Sequence, residues 1–345
     1  MMQMQPSPVP RRHSRLVSLG TLRAGNMLTS AQLASRASVT AEWTERRSGI
    51  SSLRHAGPDD DICTMAVAAG KNALDAARLA PSDVDCLIVV TQTHLDHVTL
   101  GPDVAHRLGA DGIPAYELHA GAGFTIGLAA AADEIGSGDA DHVLLIASEV
   151  PSACLDPADP RTAPLFGDGA AAVVVGASKT PGIGPVIWGS DGAALRGVTS
   201  KLTWSAYLAN RDGPRPALSL EDQKLTRWIL QELPAVIERA LVVSGVKGSD
   251  LAAVVLHQAN GRILEMVRKR IALPDHVVFA QDIVEAGNTM AASIPLAIEQ
   301  LLRTRRVRGG DLALLADFGA GVTYAAQVVE LPALVSATDK AKEQP

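Results

Sequence analysis

One order of segments occurs twice along this chain, and it limits the fold more than any single motif does. In the first half a helical stretch, Cys63 to Leu79, leads through Pro81-Ser82-Asp83 into the apolar run Cys86 to Val90. In the second half a helical stretch, Glu221 to Val243, leads through Gly248-Ser249-Asp250 into Ala252 to Leu256. Each run is followed by a helix and a second apolar run, His142 to Ser148 and Asp311 to Ala316. An Ala/Val run then closes each half, Ala170 to Val175 and Ala325 to Val329. Short Val/Ile/Leu runs separated by helices predict mostly parallel strands, buried on both faces. Two copies of a β-α-β unit predict a layered α/β fold. The halves meet near Pro181 to Pro185. That divides the chain into a loose tail over 1–13, halves over 14–184 and 185–332, and a second loose tail over 333–345.

A chain of 345 residues has room for two such halves. Aromatic residues make up only 3%, so Ala, Val, Leu and Ile must build the core. A net charge of −6 argues against a nucleic-acid partner. The one basic run, Arg303, Arg305, Arg306 and Arg308, reads as a solvated helix end. No apolar stretch reaches about 18 residues, so no membrane span is expected. The N-terminal segment also lacks an apolar signal core. Cys63, Cys86 and Cys154 are an odd, sparse set without metal spacing, which points to a reducing cytoplasm and no disulfide framework. His94 and His97 stand at i, i+3 without a third ligand and read as loop residues, so no metal site is expected. The Gly-rich stretch from Trp188 to Leu220 is long for a connection, and reads either as a lid or tunnel wall or as a surface insertion.

Four segments carry chemistry. His257-Gln258-Ala259-Asn260 follows a buried run directly, where a strand end opens to ligands in an α/β sheet. Gly287-Asn288-Thr289 precedes a helix that runs to about Leu302, and alone would pass for a cap. Asp317-Phe318-Gly319-Ala320-Gly321 reads as a small-residue turn after a strand, which lets backbone N–H groups approach a ligand oxygen. Gly121-Ala122-Gly123-Phe124 opens an Ala-rich helix, a position where the helix dipole stabilises a thiolate. The glycines of this last segment do not keep the G-x-G-x-x-G spacing of a dinucleotide site, since the last falls one place too far, at Gly127.

Taken in this order, and with Phe166-Gly167-Asp168-Gly169-Ala170, Glu42-Trp43 and Arg47-Ser48-Gly49-Ile50, these segments resemble the β-ketoacyl-[acyl-carrier-protein] synthase III family over roughly Val17 to Leu331. The resemblance implies a duplicated thiolase-like fold with five layers, α-β-α-β-α. It implies that His257 and Asn288 bind the thioester carbonyl of a malonyl unit, and that the N–H of Ala320 forms part of an oxyanion hole. Trp43, Arg47 and Asn260 match positions lining the coenzyme A or pantetheine channel. An Arg that stacks on adenine in some relatives has no clean match, Arg161 being one place displaced. A coenzyme A thioester is implied as substrate with no permanently bound cofactor, an acyl carrier protein as partner, and a homodimer as the assembly.

The family's nucleophile is missing. Its pattern runs from an acidic residue through an apolar and three small residues to Cys-Ala-Gly-Phe. This chain reads Glu117-Leu118-His119-Ala120-Gly121-Ala122-Gly123-Phe124, one residue short at the cysteine. Removing one residue at a helix start rotates one side of the junction by about 100° relative to the other. Two readings follow: a modified cysteine between Gly121 and Ala122 that the one-letter sequence does not carry, or a chain without a nucleophile. The first implies decarboxylative condensation of an acyl-CoA starter with malonyl-carrier protein, priming fatty acid or polyketide synthesis. Its variant transfers the acyl group to a hydroxyl or amine, with His257 as base. The second implies a malonyl decarboxylase or a partner subunit.

Overall fold

The computed structural model describes residues 11–96, 98–192, 198–200, 202–220, 222–319 and 321–334. In chain order the first half comprises strand β1 (His13–Arg23), β2 (Asn26–Thr29), helices α1 (Ser30–Arg36) and α2 (Ala41–Ser48), β3 (Ser52–His55), α3 (Ile62–Ala77), β4 (Cys86–Val90), α4 (Leu100–Leu108), β5 (Ala115–Leu118), α5 (Gly123–Ser137), β6 (His142–Glu149) and β7 (Gly169–Ser178). The second comprises β8 (Ile187–Ser190), β9 (Val198–Ser200), α6 (Trp204–Ala209), β10 (Leu218–Leu220), α7 (Asp222–Ser244), β11 (Ala253–Leu256), α8 (Gly261–Arg268), β12 (Val278–Phe279), α9 (Ile283–Ala286), α10 (Ser293–Arg303), β13 (Leu312–Gly319) and β14 (Thr323–Glu330).

The repeat is visible in the sheets. One has the order β1-β7-β6-β4-β5 and the other β8-β14-β13-β11-β12. In each, two pairings are parallel and two antiparallel. The expectation of mostly parallel strands is therefore corrected to mixed sheets. The Ala/Val runs β7 and β14 follow their neighbours without a crossover helix and so return antiparallel.

Side-chain alternation assigns each strand face to a layer. Ile88, Val90, Leu145, Ala147, Val173 and Val175 point into a central layer with α5 and α10. Leu87, Val89, Leu144, Ile146, Ala172 and Val174 point the other way, against α3 and α4. In the second sheet Ala253, Val255, Ala313 and Leu315 join the central layer, while Val254, Leu256, Leu314 and Ala316 pack under α7 and α8. Five layers result, α-β-α-β-α, in a thiolase-like fold.

Three segments differ from the sequence reading. Residues 11–13, assigned there to the tail, are held: Arg12 N–H donates to Gly136 O at 3.3 Å, and β1 begins at His13. Trp188–Ser190, read as loop, lies in β8, which pairs with β14. Asp317, Phe318 and Gly319, read as a turn, are the last residues of β13 and pair with Ala325, Tyr324 and Thr323. The apolar side chain of Phe318 fills the core there and extends the strand. Among the described residues, no helix is long and apolar enough to cross a membrane.

Candidate active site

His257 stands one residue past β11, its N–H donating to Ala316 O at 2.9 Å, so the parallel β11–β13 pairing carries the ladder up to it. Gln258 locks the segment. Its Nε2 donates to Leu256 O at 2.7 Å, and its Oε1 accepts the Ile283 N–H at 3.1 Å. The imidazole is 6% exposed, edge-on to Phe318. Burial pushes His257 down to about 4, so the ring is neutral at pH 7. Its Nδ1 lies 3.0 Å from Ser293 Oγ and 3.4 Å from Asp317 Oδ1. Among the described residues, Nε2 makes no hydrogen bond.

Asn288 lines the same pocket. The Phe166 segment holds it: Asn288 N–H donates to Leu165 O at 2.8 Å, and Gly167 N–H donates to Asn288 O at 3.1 Å. A Cβ at residue 167 would lie 2.1 Å from Ala286 O, which explains a glycine there. The side-chain Oδ1 accepts the Met290 N–H at 2.9 Å, and Nδ2 donates to Ala259 O at 3.4 Å. One Nδ2 hydrogen is left facing the pocket. Met290 adopts φ +49 beside it, a left-handed conformation uncommon for a non-glycine residue.

The start of α5 forms the third wall. Gly121 and Ala122 form a turn directly before the helix. They are joined by a trans peptide, since the described residues contain no cis bond. Ala122 N–H donates to Thr323 Oγ1 at 3.0 Å, and Thr125 N–H to Asp317 Oδ2 at 3.3 Å. A Cβ on residue 319 would meet Gly121 O at 2.1 Å, so the turn rests directly on the end of β13. Ala320, the expected oxyanion donor, lies outside the described residues, as does His97.

The remaining expected residues line the same pocket. Trp43 and Arg47 stand one helical turn apart on α2, with the Arg47 guanidinium 5.4 Å from the Trp43 ring centre. Asn260 caps α8 through Arg262 N–H at 2.8 Å and donates from Nδ2 to Arg47 O at 3.3 Å. One pocket, partly open to solvent, brings Trp43, Arg47, Asn260, His257, Asn288 and Gly121 together. Arg161 also lines it, despite its displaced position in the sequence, as do Leu220 and Leu225. Leu220 ends the Trp188–Leu220 stretch, so part of that stretch is a pocket wall.

Sequence reasoning missed Ser293, Asp317 as a partner of His257, and Glu149. Glu149 is fully buried on β6 and accepts hydrogen bonds from Thr91 Oγ1, Thr93 Oγ1 and the N–H of Gln92 and Ala291. Burial pushes it up to about 7. A charged residue inside an apolar strand was the available signal for both acids. The three cysteines stand apart from the pocket. Burial pushes the Cys63 thiol up to about 12 and Cys86 up to about 11, and raises Cys154, so none is a ready thiolate. His94, half of the pair read as loop residues, has Nδ1 3.3 Å from Glu117 Oε2. Among the described residues, no cluster of His, Cys, Asp or Glu could hold a metal ion.

Comparison with known proteins agrees with this geometry. A model of 3-oxoacyl-[acyl-carrier-protein] synthase III matches residues 118–192, and one of its C-terminal part matches residues 241–331. The mycobacterial β-ketoacyl-[acyl-carrier-protein] synthase III of Mycobacterium avium is 43% identical over 319 residues, covering 92% of this chain and 95% of that protein. The β-ketoacyl-[acyl-carrier-protein] synthase III of Streptomyces lividans is 40% identical, covering 93% and 96%. Among solved structures, the priming β-ketosynthase from the R1128 polyketide biosynthetic pathway superposes with a TM-score of 0.92 at 40% identity, covering 96% of this chain and all 100% of that one.

Proposed function

The chain belongs to the β-ketoacyl-[acyl-carrier-protein] synthase III family of condensing acyltransferases, and we propose that its pocket performs the decarboxylative condensation of an acyl-CoA starter with malonyl-acyl-carrier protein. The observation that carries this is the convergence on a single pocket of His257, whose Nε2 has no hydrogen-bond partner among the described residues, and Asn288, with one Nδ2 hydrogen left over. When malonyl thioester loses CO₂, the electron pair of the broken C–C bond becomes an enolate. Its oxygen accepts the two N–H groups, His257 Nε2–H and Asn288 Nδ2–H. A neutral His257 takes this role in the tautomer that carries its proton on Nε2. Trp43, Arg47 and Asn260 would border the coenzyme A or pantetheine arm, and Ala320 would supply an oxyanion N–H. The enzyme would act in the cytoplasm as a homodimer.

Condensation also needs the starter acyl group held beside the enolate. In this family's scheme a cysteine between Gly121 and Ala122 would do this. Intact mass of the purified protein, before and after incubation with acyl-CoA, tests it. A mass exceeding the sequence by a cysteine residue, and rising by one acyl group, supports condensation. A mass equal to the sequence, unchanged by acyl-CoA, overturns it.

The sequence as it stands, with Ala122 directly after Gly121 and no cysteine there, favours a second reading, a malonyl decarboxylase or partner subunit that forms the enolate without a loaded acyl group. Release of CO₂ from malonyl thioester with no β-ketoacyl product would distinguish it. An ester- or amide-forming variant would instead require His257 Nε2 to be bare, as a base.

A further inference from the structure

Asp317 is 1% exposed and belongs to no catalytic scheme so far described. Its two oxygens have different surroundings. Oδ2 takes the Thr125 N–H at 3.3 Å, at the start of α5. Oδ1 has no hydrogen-bond partner, yet faces His257 Nδ1 at 3.4 Å. Leaving a buried carboxyl oxygen unpaired is costly, unless its neighbour can supply a proton on demand.

Nδ1 has a second neighbour. Ser293 Oγ already accepts the Gln258 N–H at 3.2 Å, so its own hydrogen is free to point to Nδ1, 3.0 Å away. Which neighbour Nδ1 serves decides the state of Nε2, because a neutral imidazole carries one proton.

We propose that Asp317 is a positioning residue that selects the tautomer of His257, and with it the chemistry of the pocket. With Asp317 protonated, Nδ1 accepts the Ser293 hydroxyl hydrogen, and Nε2–H is a donor for an enolate. With Asp317 ionised, Oδ1 accepts Nδ1–H, and Nε2 becomes a bare base. The ring stays neutral throughout, and one proton leaves the Asp317 carboxyl for solvent.

Burial pushes Asp317 up to about 7, against the pull of the Thr125, Phe318 and Phe124 N–H groups, which places the change near neutral pH. Other charged groups stand near the pocket as well. On β6 the Glu149 carboxylate is taken up by Thr91, Thr93, Gln92 and Ala291. Arg47 on α2 and Arg161 stand in the pocket wall, Arg161 3.6 Å from Asp159. The first two turns of α5 carry no titratable side chain.

The functional consequence rests on the proposed enolate chemistry; the tautomer change does not. Nitrogen-15 NMR of the His257 ring in the ligand-free chain, between about pH 6 and about pH 9, tests the change directly. The expected result is a switch from Nε2–H to Nδ1–H, absent in Asp317→Asn. An unchanged wild-type tautomer overturns the proposal without any variant. A switch that persists in Asp317→Asn overturns it as well. CO₂ release from malonyl thioester then reads the consequence. The wild-type rate should fall roughly tenfold per pH unit above the transition, and the Asp317→Asn rate should stay flat. A tautomer switch with no CO₂ release at any pH would sink the proposed function while leaving the switch standing.

Discussion

The two helices of the central layer begin in opposite circumstances. α10 opens beside Asn288, His257 and Ser293, whose polar atoms are matched to one another or turned to the pocket. α5, its counterpart in the other half, opens on Gly121 and Ala122, which carry no functional group. Its early N–H groups are taken by Thr323 and Asp317, both from the second half. The duplication thus preserves architecture at both ends of the pocket but keeps side-chain chemistry only at one. The first half contributes shape, a helix dipole and walls, and the second contributes proton donors.

The largest effect should come from the rich end. His257→Ala should lower CO₂ release from malonyl thioester by about 10²–10⁴-fold, and Asn288→Ala by about 10²–10³-fold, with the fold retained by circular dichroism. Loss of less than tenfold in both would remove the contrast between the two ends. The poor end is tested by gain. Inserting a cysteine between Gly121 and Ala122, in a chain whose mass equals its sequence, should give one acyl group per protomer on incubation with acyl-CoA. A folded, unacylated insertion variant would mean that more than the side chain is missing there.

A third change probes the contact between the two ends. Gly319→Ala sets a methyl group against Gly121 O, which can shift only by moving the start of α5. Denaturant unfolding should show a loss of about 1–3 kcal/mol. The last effect concerns pH. Asp317 is pushed up to about 7 from 3.8, so between these values the folded chain keeps a proton that the unfolded chain has released. Stability therefore falls as pH rises through that window. Glu149, pushed up to about 7 from 4.5, adds to this fall. His257, pushed down to about 4 from 6.5, opposes it between those values, since there the unfolded chain holds the extra proton. Relative to the parent, Asp317→Asn should gain in melting temperature from about pH 4 to about pH 7; a constant difference would contradict this.

Much of this was legible in the sequence. The buried runs Cys86–Val90 and His142–Ser148 announce themselves because covered strands carry apolar residues on both faces. His257, Asn288, Trp43 and Arg47 were found through motifs, and the fold brings them to one pocket. The edge strands β5 and β12 were hidden, being 4 and 2 residues long and not fully buried, without a distinct pattern. Asp317 was misread as part of a turn because Gly319 and Gly321 flank it closely. Its pairing with His257 is a contact between residues 60 positions apart in sequence, from His257 to Asp317, and no local pattern encodes it.

The shared central layer has a consequence for biosynthesis. Ile88, Val90, Leu145, Val173 and Val175 are covered by α5 of their own half and by Ala291, Ile294 and Ala297 from the far end of the chain. When the ribosome has released the first half, those last three residues do not yet exist. The nascent chain must carry an unfinished apolar sheet face until nearly all of the second half has emerged. Such long-range closure is slow, and an exposed sheet face is prone to self-association. The molecule should therefore reach its native state mainly after release, with the join between the two sheets as its last and most aggregation-sensitive step.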